Sequence, residues 1–425
     1  MKKVFEYDVA IIGGGAAALF AASILGKNNI KTAIIEANNK LGAKILQTGN
    51  GKCNYTNLHM QQDCYQNSDN KRAFEIIEKF NNLETIEYFK TLGIYPKIRD
   101  GYVYPRSETA LSVANAFRLD LEASKVKQFL NCKANKIEKN GQDIRIFCVE
   151  SFEDREISIE IVSKYLIIAT GSAASLDPKK AGKEENVLNG LGLKFIKFKP
   201  ALVALKTDNN NIKLAKGVRA YGCVKILVDS KEVASDIGEI QYADYGISGI
   251  PVFQVSRYAV DALNRGKKVL ASLDLTPDFS YEELVNVLES TIKNCKKKTL
   301  REVFDGIINH KLMEFVLKYV GANLDMKAEN CTDYDIKQIA DALKNIILNI
   351  TDSKGISAAQ VCQGGISFTE LDDNLELIRY KNIYACGEIV DVDAKCGGYN
   401  LQWAWSSAHL VARSIIGDYS GKTNN

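Results

Sequence analysis

The chain has 425 residues, enough for two or three domains, and its 46% hydrophobic content supplies well-filled cores. Fifty-five basic residues against 52 acidic ones leave a formal charge of only +3, so no global field points to nucleic acid or an anionic membrane as a partner. The ten cysteines are scattered without one C-x-x-C pair, which speaks against a zinc site or disulfide framework and for a reducing, cytoplasmic setting.

Residues 8–36 read as a strand, a glycine turn, a helix and a second strand. The turn fits G-x-G-x-x-A at Gly13, Gly15 and Ala18, with Gly14, Ala16 and Ala17 between them. Glu36 closes the second strand at the spacing of about 20 residues that a dinucleotide-binding unit requires. Gly13 permits the tight turn, Gly15 lets backbone N–H groups approach a pyrophosphate, and Ala18 lets the helix pack close to the sheet. The free N–H groups and positive dipole end of that helix favour the anion. Glu36 accepts hydrogen bonds from an adenosine ribose and would repel a 2′-phosphate, which leaves NAD or FAD. The uncharged run 9–26 behind two lysines mimics a signal peptide or membrane span, but Glu6, Asp8 and three successive glycines break it. Nothing later in the sequence reads as a span.

Further along, residues 41–57 alternate glycines with short polar side chains, the composition of a loop wrapped on a ligand. There Lys44 and Lys52 are positioned for phosphate or a negative flavin, and Thr48, Asn54 and Asn57 offer donors; an ordinary surface loop is the alternative. Residues 71–92 have helical periodicity, 101–107 form a short aromatic strand ending near Arg106, and 110–124 form another helix. Residues 136–161 alternate as a hairpin turning at Asn140-Gly141. A buried parallel strand over 165–172 ends at Ala169-Thr170-Gly171, where a doubly wound sheet binds its ligands. Short β-type runs over 195–275 predict a small antiparallel barrel or sandwich, and a helical stretch follows from Pro277 to about residue 348. Strand-like sequence returns at 361–366, and a strand over 382–389 runs into Gly387-Glu388. Gly397-Gly398-Tyr399-Asn400 then precedes a helix over 401–416, a second anion-receptive N-terminus. The expected domains are 1–190 with 358–425, 191–276 with 349–357, and 277–348.

Assembled, these blocks resemble the HI0933-like (YhiN-type) family of FAD-binding flavoproteins, which includes proteins named as aminoacetone oxidases and others linked to bile-acid dehydroxylation. The resemblance is carried by Gly13 to Ala18, Lys44-Ile45-Leu46, Gly49 to Asn57, Tyr104-Pro105-Arg106-Ser107, Ala169-Thr170-Gly171, Asp244 to Gly249, Gly387 to Asp393 and Gly397 to Ala404. It implies an α/β fold in which a Rossmann-type FAD-binding domain is interrupted by a β-barrel-like domain, itself interrupted by a helical domain. It also implies that Glu36 and Ala37 serve the adenosine end, and that Thr48, Gly49, Gly51, Cys53 and Asn54 lie along the flavin. Gly387 and Glu388 would face the ribityl chain, and Gly398, Tyr399, Asn400 and Leu401 the isoalloxazine. Ala43 departs from the family, whose members often carry arginine before the lysine, but Lys44 itself is kept.

The expected function is an FAD-dependent oxidoreductase that moves a hydride between the flavin and a small organic substrate. A flavin-dependent RNA-modifying enzyme and a flavin-binding interaction protein without turnover are the alternatives. No H-E-x-x-H or G-x-S-x-G is present, and among His59, His310 and His409 the last reads as helix packing. Cys53, Tyr245, Cys396 and Tyr399 are the catalytic candidates; no metal is expected. No second G-x-G-x-x-G follows a later strand, so electrons are expected to come from the organic substrate or a separate electron donor or acceptor protein, not from a dedicated nicotinamide domain.

Overall fold

The computed structural model describes residues 3–66, 69–152, 155–174 and 185–423. At its centre lies β1 (Lys3–Ile12), whose last four residues, Val9 to Ile12, are all buried. Apolar runs without alternation mark parallel strands covered on both faces. β1 pairs in parallel with β2 (Thr32–Ile35) on one side, Ile12 opposite Ile35, and with the strand Arg155–Ile168 on the other, Ile12 opposite Ile168. Between β1 and β2 the chain crosses over as α1 (Ala16–Lys27), buried from Ala17 to Gly26.

Lys127–Phe129 extends this sheet beyond β2, and Asp143–Phe152 and Cys132–Asn140 extend it antiparallel on the far side. The carboxyl end of Arg155–Ile168 also takes Ile383–Ala385 in parallel, Ile168 opposite Ala385. The late segment 383–388 is thereby delivered to the same sheet edge as the glycine turn. The long terminal helix Tyr399–Thr423 packs on α1, with Phe20 and Trp405 rings 5.5 Å apart and Phe117 stacked on Trp405 at 5.8 Å.

The chain divides into two compact units, Met1–Lys199 with Val361–Asn425, and Pro200–Gln360. The second unit is a closed antiparallel barrel in the order Leu205–Thr207, Gly246–Ser248, Lys231–Ala243, Arg219–Val228, Val269–Asp274, Ile346–Ser353. Between its last two strands come the helices Tyr281–Asn294, Leu300–Val303, His310–Tyr319 and Asp333–Lys344. Capping boxes at Ser280/Glu283, Thr299/Glu302 and Thr332/Asp335 start three of them. The fold is thus α/β: a Rossmann-type unit interrupted by a β-barrel, itself interrupted by helices.

Three local expectations change. The helical stretch after Pro277 stops at Lys344, and Ile346–Ser353 is already barrel strand. Phe195–Ala201 pairs with Val361–Ile366 outside the barrel, and the lack of a side chain at Gly364 permits the close approach, since a Cβ there would meet the Ile196 and Lys197 carbonyl oxygens at 2.7 and 2.8 Å. The helix read over 71–92 is two, Asn70–Glu78 and Asn82–Thr91, since Asn81 and Glu84 form a capping box that starts a new helix. No helix among the described residues is long and apolar enough to cross a membrane.

Candidate functional site

The site begins at the turn between β1 and α1. Gly13 has φ +107°, and a Cβ there would lie 2.3 Å from the Ala169 carbonyl oxygen, so the turn is pressed onto the end of the neighbouring strand. Gly15 differs. It is the N-cap residue of α1 in ordinary extended conformation, φ −81° and ψ −169°, and a Cβ added to it meets nothing within 4 Å. No side chain caps α1, and its first turn carries no acidic residue. The first N–H groups of this helix are therefore left for an outside acceptor, and small residues keep the approach clear.

Glu36 is buried at the end of β2. Its Oε1 accepts from the Asn38 backbone N–H at 2.7 Å and from Asn38 Nδ2 at 2.6 Å. Its Oε2 lies toward Gly14, 2.8 Å from where a Cβ on that glycine would stand, and takes no hydrogen bond among the described residues. Half of the carboxylate is thus anchored and half is free to accept, the arrangement a ribose hydroxyl needs. Ala37 follows, exposed.

Along the same edge, Thr170 presents a buried hydroxyl oxygen with no partner, and Gly171, φ +75°, borders open space. Orphaned buried polar atoms are uncommon in finished structures and mark a place where a ligand completes the bonding. The open cradle at Gly15, the free Glu36 oxygen and the Thr170 hydroxyl together fit a bound dinucleotide. Ser172, next in the chain, donates to Glu388 Oε2 at 2.7 Å, and Lys44 Nζ approaches the same oxygen at 2.5 Å. Burial pushes the Cys362 thiol, which neighbours these three residues, up to about 12, so it stays protonated. Neither Ser172 nor Cys362 was marked by a motif; the position of Ser172 just after the glycine turn was the available signal.

The segment 44–57 carries a short helical turn, Ile45–Gly51, with Gly49, Asn50 and Cys53 in left-handed conformation. Its polar side chains serve the chain more than expected. Thr48 Oγ1 donates to the Ile45 carbonyl at 2.6 Å, Asn57 Nδ2 to the Gly397 carbonyl at 2.9 Å, and Asn54 Oδ1 accepts from Val103 N at 3.2 Å. Cys53 is fully buried and its thiol is pushed up to about 12, a poor nucleophile.

The terminal helix starts at Tyr399, two residues before the expected 401, which puts Asn400 inside the first turn with Leu401 after it. Asn400 accepts from Ala394 N at 2.9 Å and donates to the Ala394 and Lys395 carbonyls, so it staples the preceding loop instead of capping the helix. Tyr399 is buried, its hydroxyl donates to the His59 carbonyl at 3.0 Å, and burial raises its pKa. Gly398 fits only because it lacks a side chain: a Cβ would lie 2.5 Å from the Thr56 carbonyl oxygen. Cys396 is half-buried near Tyr104. Tyr245 belongs to the barrel unit, with Lys354 Nζ 4.4 Å from its ring centre. His409 stacks on Phe80 at 4.2 Å, the packing role expected of it. Among the described residues no cluster of histidine, cysteine and carboxylates is arranged to hold a metal.

What the motif reading did not find is the network behind the terminal helix. Gln402, fully buried, accepts from Thr56 Oγ1 at 2.5 Å and donates to the Phe80 carbonyl, Thr85 Oγ1 and Ser406 Oγ. Trp405 Nε1 donates to the Tyr55 carbonyl at 2.8 Å and Trp403 Nε1 to the Gly387 carbonyl at 3.0 Å, while Gly387 N donates to Ser407 Oγ. One helix thereby fixes both the 54–57 loop and the Gly387-Glu388 turn.

The family model of the HI0933-like protein Rossmann domain matches residues 7–414. A 3-dehydro-bile acid delta(4,6)-reductase of Clostridium scindens is 34% identical over 411 residues, 96% of this chain and 98% of the relative. A ribosomal RNA dihydrouridine synthase of Haemophilus influenzae is 25% identical over 95% of this chain and 97% of its own. Among solved structures, a 3-ketosteroid delta1-dehydrogenase from Sterolibacterium denitrificans aligns over 97% of this chain and all of its own at 11% identity and a TM-score of 0.48. On the family match and the 34% identity, the chain belongs to the HI0933-like family, and with it to the flavoprotein oxidoreductases.

Proposed function

We propose that this oxidoreductase binds FAD and reduces a carbon–carbon double bond conjugated to a carbonyl in a small, largely apolar organic molecule. The observation that carries the cofactor half is Gly15: neither its backbone nor any neighbour demands glycine, yet a glycine stands where a pyrophosphate would lie against α1. Glu36 Oε2 takes an adenosine ribose hydroxyl, and Thr170 supplies a further polar contact. Bound flavin supplies the hydride.

The reaction half is supported by what two relatives are named for. A delta(4,6)-reductase acting on a 3-dehydro acid and a dihydrouridine synthase both saturate a C=C bond conjugated to a carbonyl. Hydride adds to the β-carbon, a proton to the α-carbon, and a separate donor restores the reduced flavin. Of the acid candidates, Cys53 is a sealed neutral thiol and Tyr399 spends its proton on a backbone carbonyl. Cys396, in the same unit as the dinucleotide turn, is the group to test first as proton donor. At the terminal helix, the N-terminus faces developing negative charge with its positive dipole end, favouring the reduced state.

RNA is the second reading, favoured by the 25% identical relative and opposed by its lower identity and by the near-cancelling charge of the chain. Photoreduced enzyme mixed anaerobically with a conjugated keto-steroid acid, and separately with a uridine-containing rRNA fragment, distinguishes the two. Flavin reoxidation with a gain of two hydrogens in the steroid is the expected result. Reoxidation by the RNA alone replaces this reading with the second. Protein purified without FAD, or Glu36→Arg protein with full FAD occupancy, would overturn the cofactor assignment.

A further inference from the structure

Three chain segments far apart in sequence converge on one carboxylate. Ser172 follows the end of the strand Arg155–Ile168, Glu388 follows Ile383–Ala385, and these two strands are parallel neighbours whose carboxyl ends lie side by side. Lys44 arrives from the segment after β2. Both Ser172 Oγ, at 2.7 Å, and Lys44 Nζ, at 2.5 Å, are directed to Glu388 Oε2, whereas Oε1 takes no hydrogen bond among the described residues. The Glu388 side chain is only 17% exposed, so water does little to satisfy that second oxygen.

We infer that Ser172 and Lys44 are positioning residues that saturate one oxygen of Glu388 and present the other, Oε1, as an acceptor to a hydroxyl of the bound dinucleotide. The inference rests on the proposed FAD binding and adds to it the division of labour within the site. A carboxylate held by one donor can rotate about its last bond; two donors on a single oxygen fix its plane and leave one direction for the ligand. Lys44 does a second thing. Its charge is spent on Glu388, so the pair is neutral as a whole, and a reduced flavin is spared a bare carboxylate beside it. Lys44, expected to meet phosphate or flavin, thus also acts through Glu388. Ser172 is itself held in place, accepting weakly from Ala174 N at 3.4 Å, with the neutral Cys362 thiol against it.

The test uses full-length apoprotein titrated with FAD, with flavin midpoint potentials and apoprotein melting temperatures measured in parallel. Ser172→Ala is expected to weaken FAD binding about tenfold, the loss of a charge-assisted hydrogen bond, while apoprotein melting is unchanged. Ser172→Thr, which restores the hydroxyl, is expected to recover most of that loss. Lys44→Met is expected to weaken binding and to lower the midpoint potential, since Glu388 is left uncompensated. Wild-type affinity and potential in Ser172→Ala would overturn the inference alone, as would a loss in Ser172→Ala that Glu388→Gln does not share. Wild-type protein that takes up no FAD would overturn the proposed function together with it.

Discussion

At the start of α1 a methyl group placed on Gly15 would touch nothing within 4 Å, whereas at the start of Tyr399–Thr423 one placed on Gly398 would stand 2.5 Å from a backbone carbonyl. Both glycines open a helix in the same unit and look alike in sequence. Gly398, at φ +93°, is required by the protein's own packing. Gly15, at φ −81°, is not. A glycine that the fold has no use for is a sign of a ligand, and one that the fold demands says nothing about binding. The rest of each helix follows the same division. α1 is built largely of alanines and other apolar residues with no side chain capping its start, while the terminal helix spends Gln402, Trp403, Trp405, Ser406 and Ser407 on bonds to the chain itself.

The sharpest way to break this comparison lies within one turn. Gly13→Ala combines a left-handed backbone with a Cβ 2.3 Å from the Ala169 oxygen. It is expected to cost more than about 3 kcal/mol and to yield little folded protein. Gly15→Ser, two residues on, should leave apoprotein melting unchanged, because serine is a favoured N-cap. It should nevertheless weaken FAD about a hundredfold, since the new hydroxyl occupies the cradle and competes for the same N–H groups. Thermal melts of both apoproteins beside an FAD titration check the pair. Equal damage to stability from the two substitutions would erase the distinction between the glycines.

A smaller effect is expected at the other helix. Gln402→Leu keeps the volume but strands Thr56 Oγ1, Thr85 Oγ1, Ser406 Oγ and one bond to the Phe80 carbonyl, all buried. Some of these find new partners, as Ser406 already donates to Phe80, so the expected loss is about 2–4 kcal/mol in urea unfolding. FAD affinity measured well below the transition should fall only a few-fold, because the α1 cradle is untouched. A hundredfold loss of FAD from a still-stable Gln402→Leu protein would make the buried network of the terminal helix, and not the α1 cradle alone, a determinant of FAD affinity.

How much of this was legible follows the range of the physics. The turn at Gly13 to Ala18 and its acid Glu36 were readable because every interaction that matters lies within residues 8–36. The barrel and its helical interruption were readable as changes in period, with ends off by a few residues because Ile346 to Leu348 are as apolar as a helix face. The break at Asn81 is written in the sequence as an N-x-x-E capping box, but the apolar period that runs across it masks the boundary. The helix expected from 401 begins at Tyr399, and Asn400 lies inside its first turn bonded to the Ala394 loop, a placement that the composition of the Gly397 to Asn400 stretch does not specify. The Lys44–Glu388 pair joins residues 344 apart and the Trp405 bond to Tyr55 spans 350, distances over which no spacing rule operates.

The smallest expected effect separates the two helices by pH. His409, stacked on Phe80 in the terminal helix, is held down to about 4 from the ordinary 6.5, first by burial and then by the Arg413 charge beside it. The folded protein keeps this ring neutral, while the unfolded chain takes up a proton below about 6.5. Stability from this residue is therefore complete above 6.5 and is lost progressively as pH falls from 6.5 toward 4. The buried face of α1 carries no group that titrates there, its only polar member being Ser23. Allowing for solvent screening of a partly exposed ring, the loss is about 1 kcal/mol by pH 5. His409→Phe keeps a ring against Phe80 and removes the proton site. Urea midpoints at pH 7.5, 6 and 5 should then fall less steeply for His409→Phe than for the wild type, so that the difference between them shifts toward the variant as pH falls. Parallel pH profiles for the two proteins would remove His409 from the account and leave the acid response to carboxylates elsewhere.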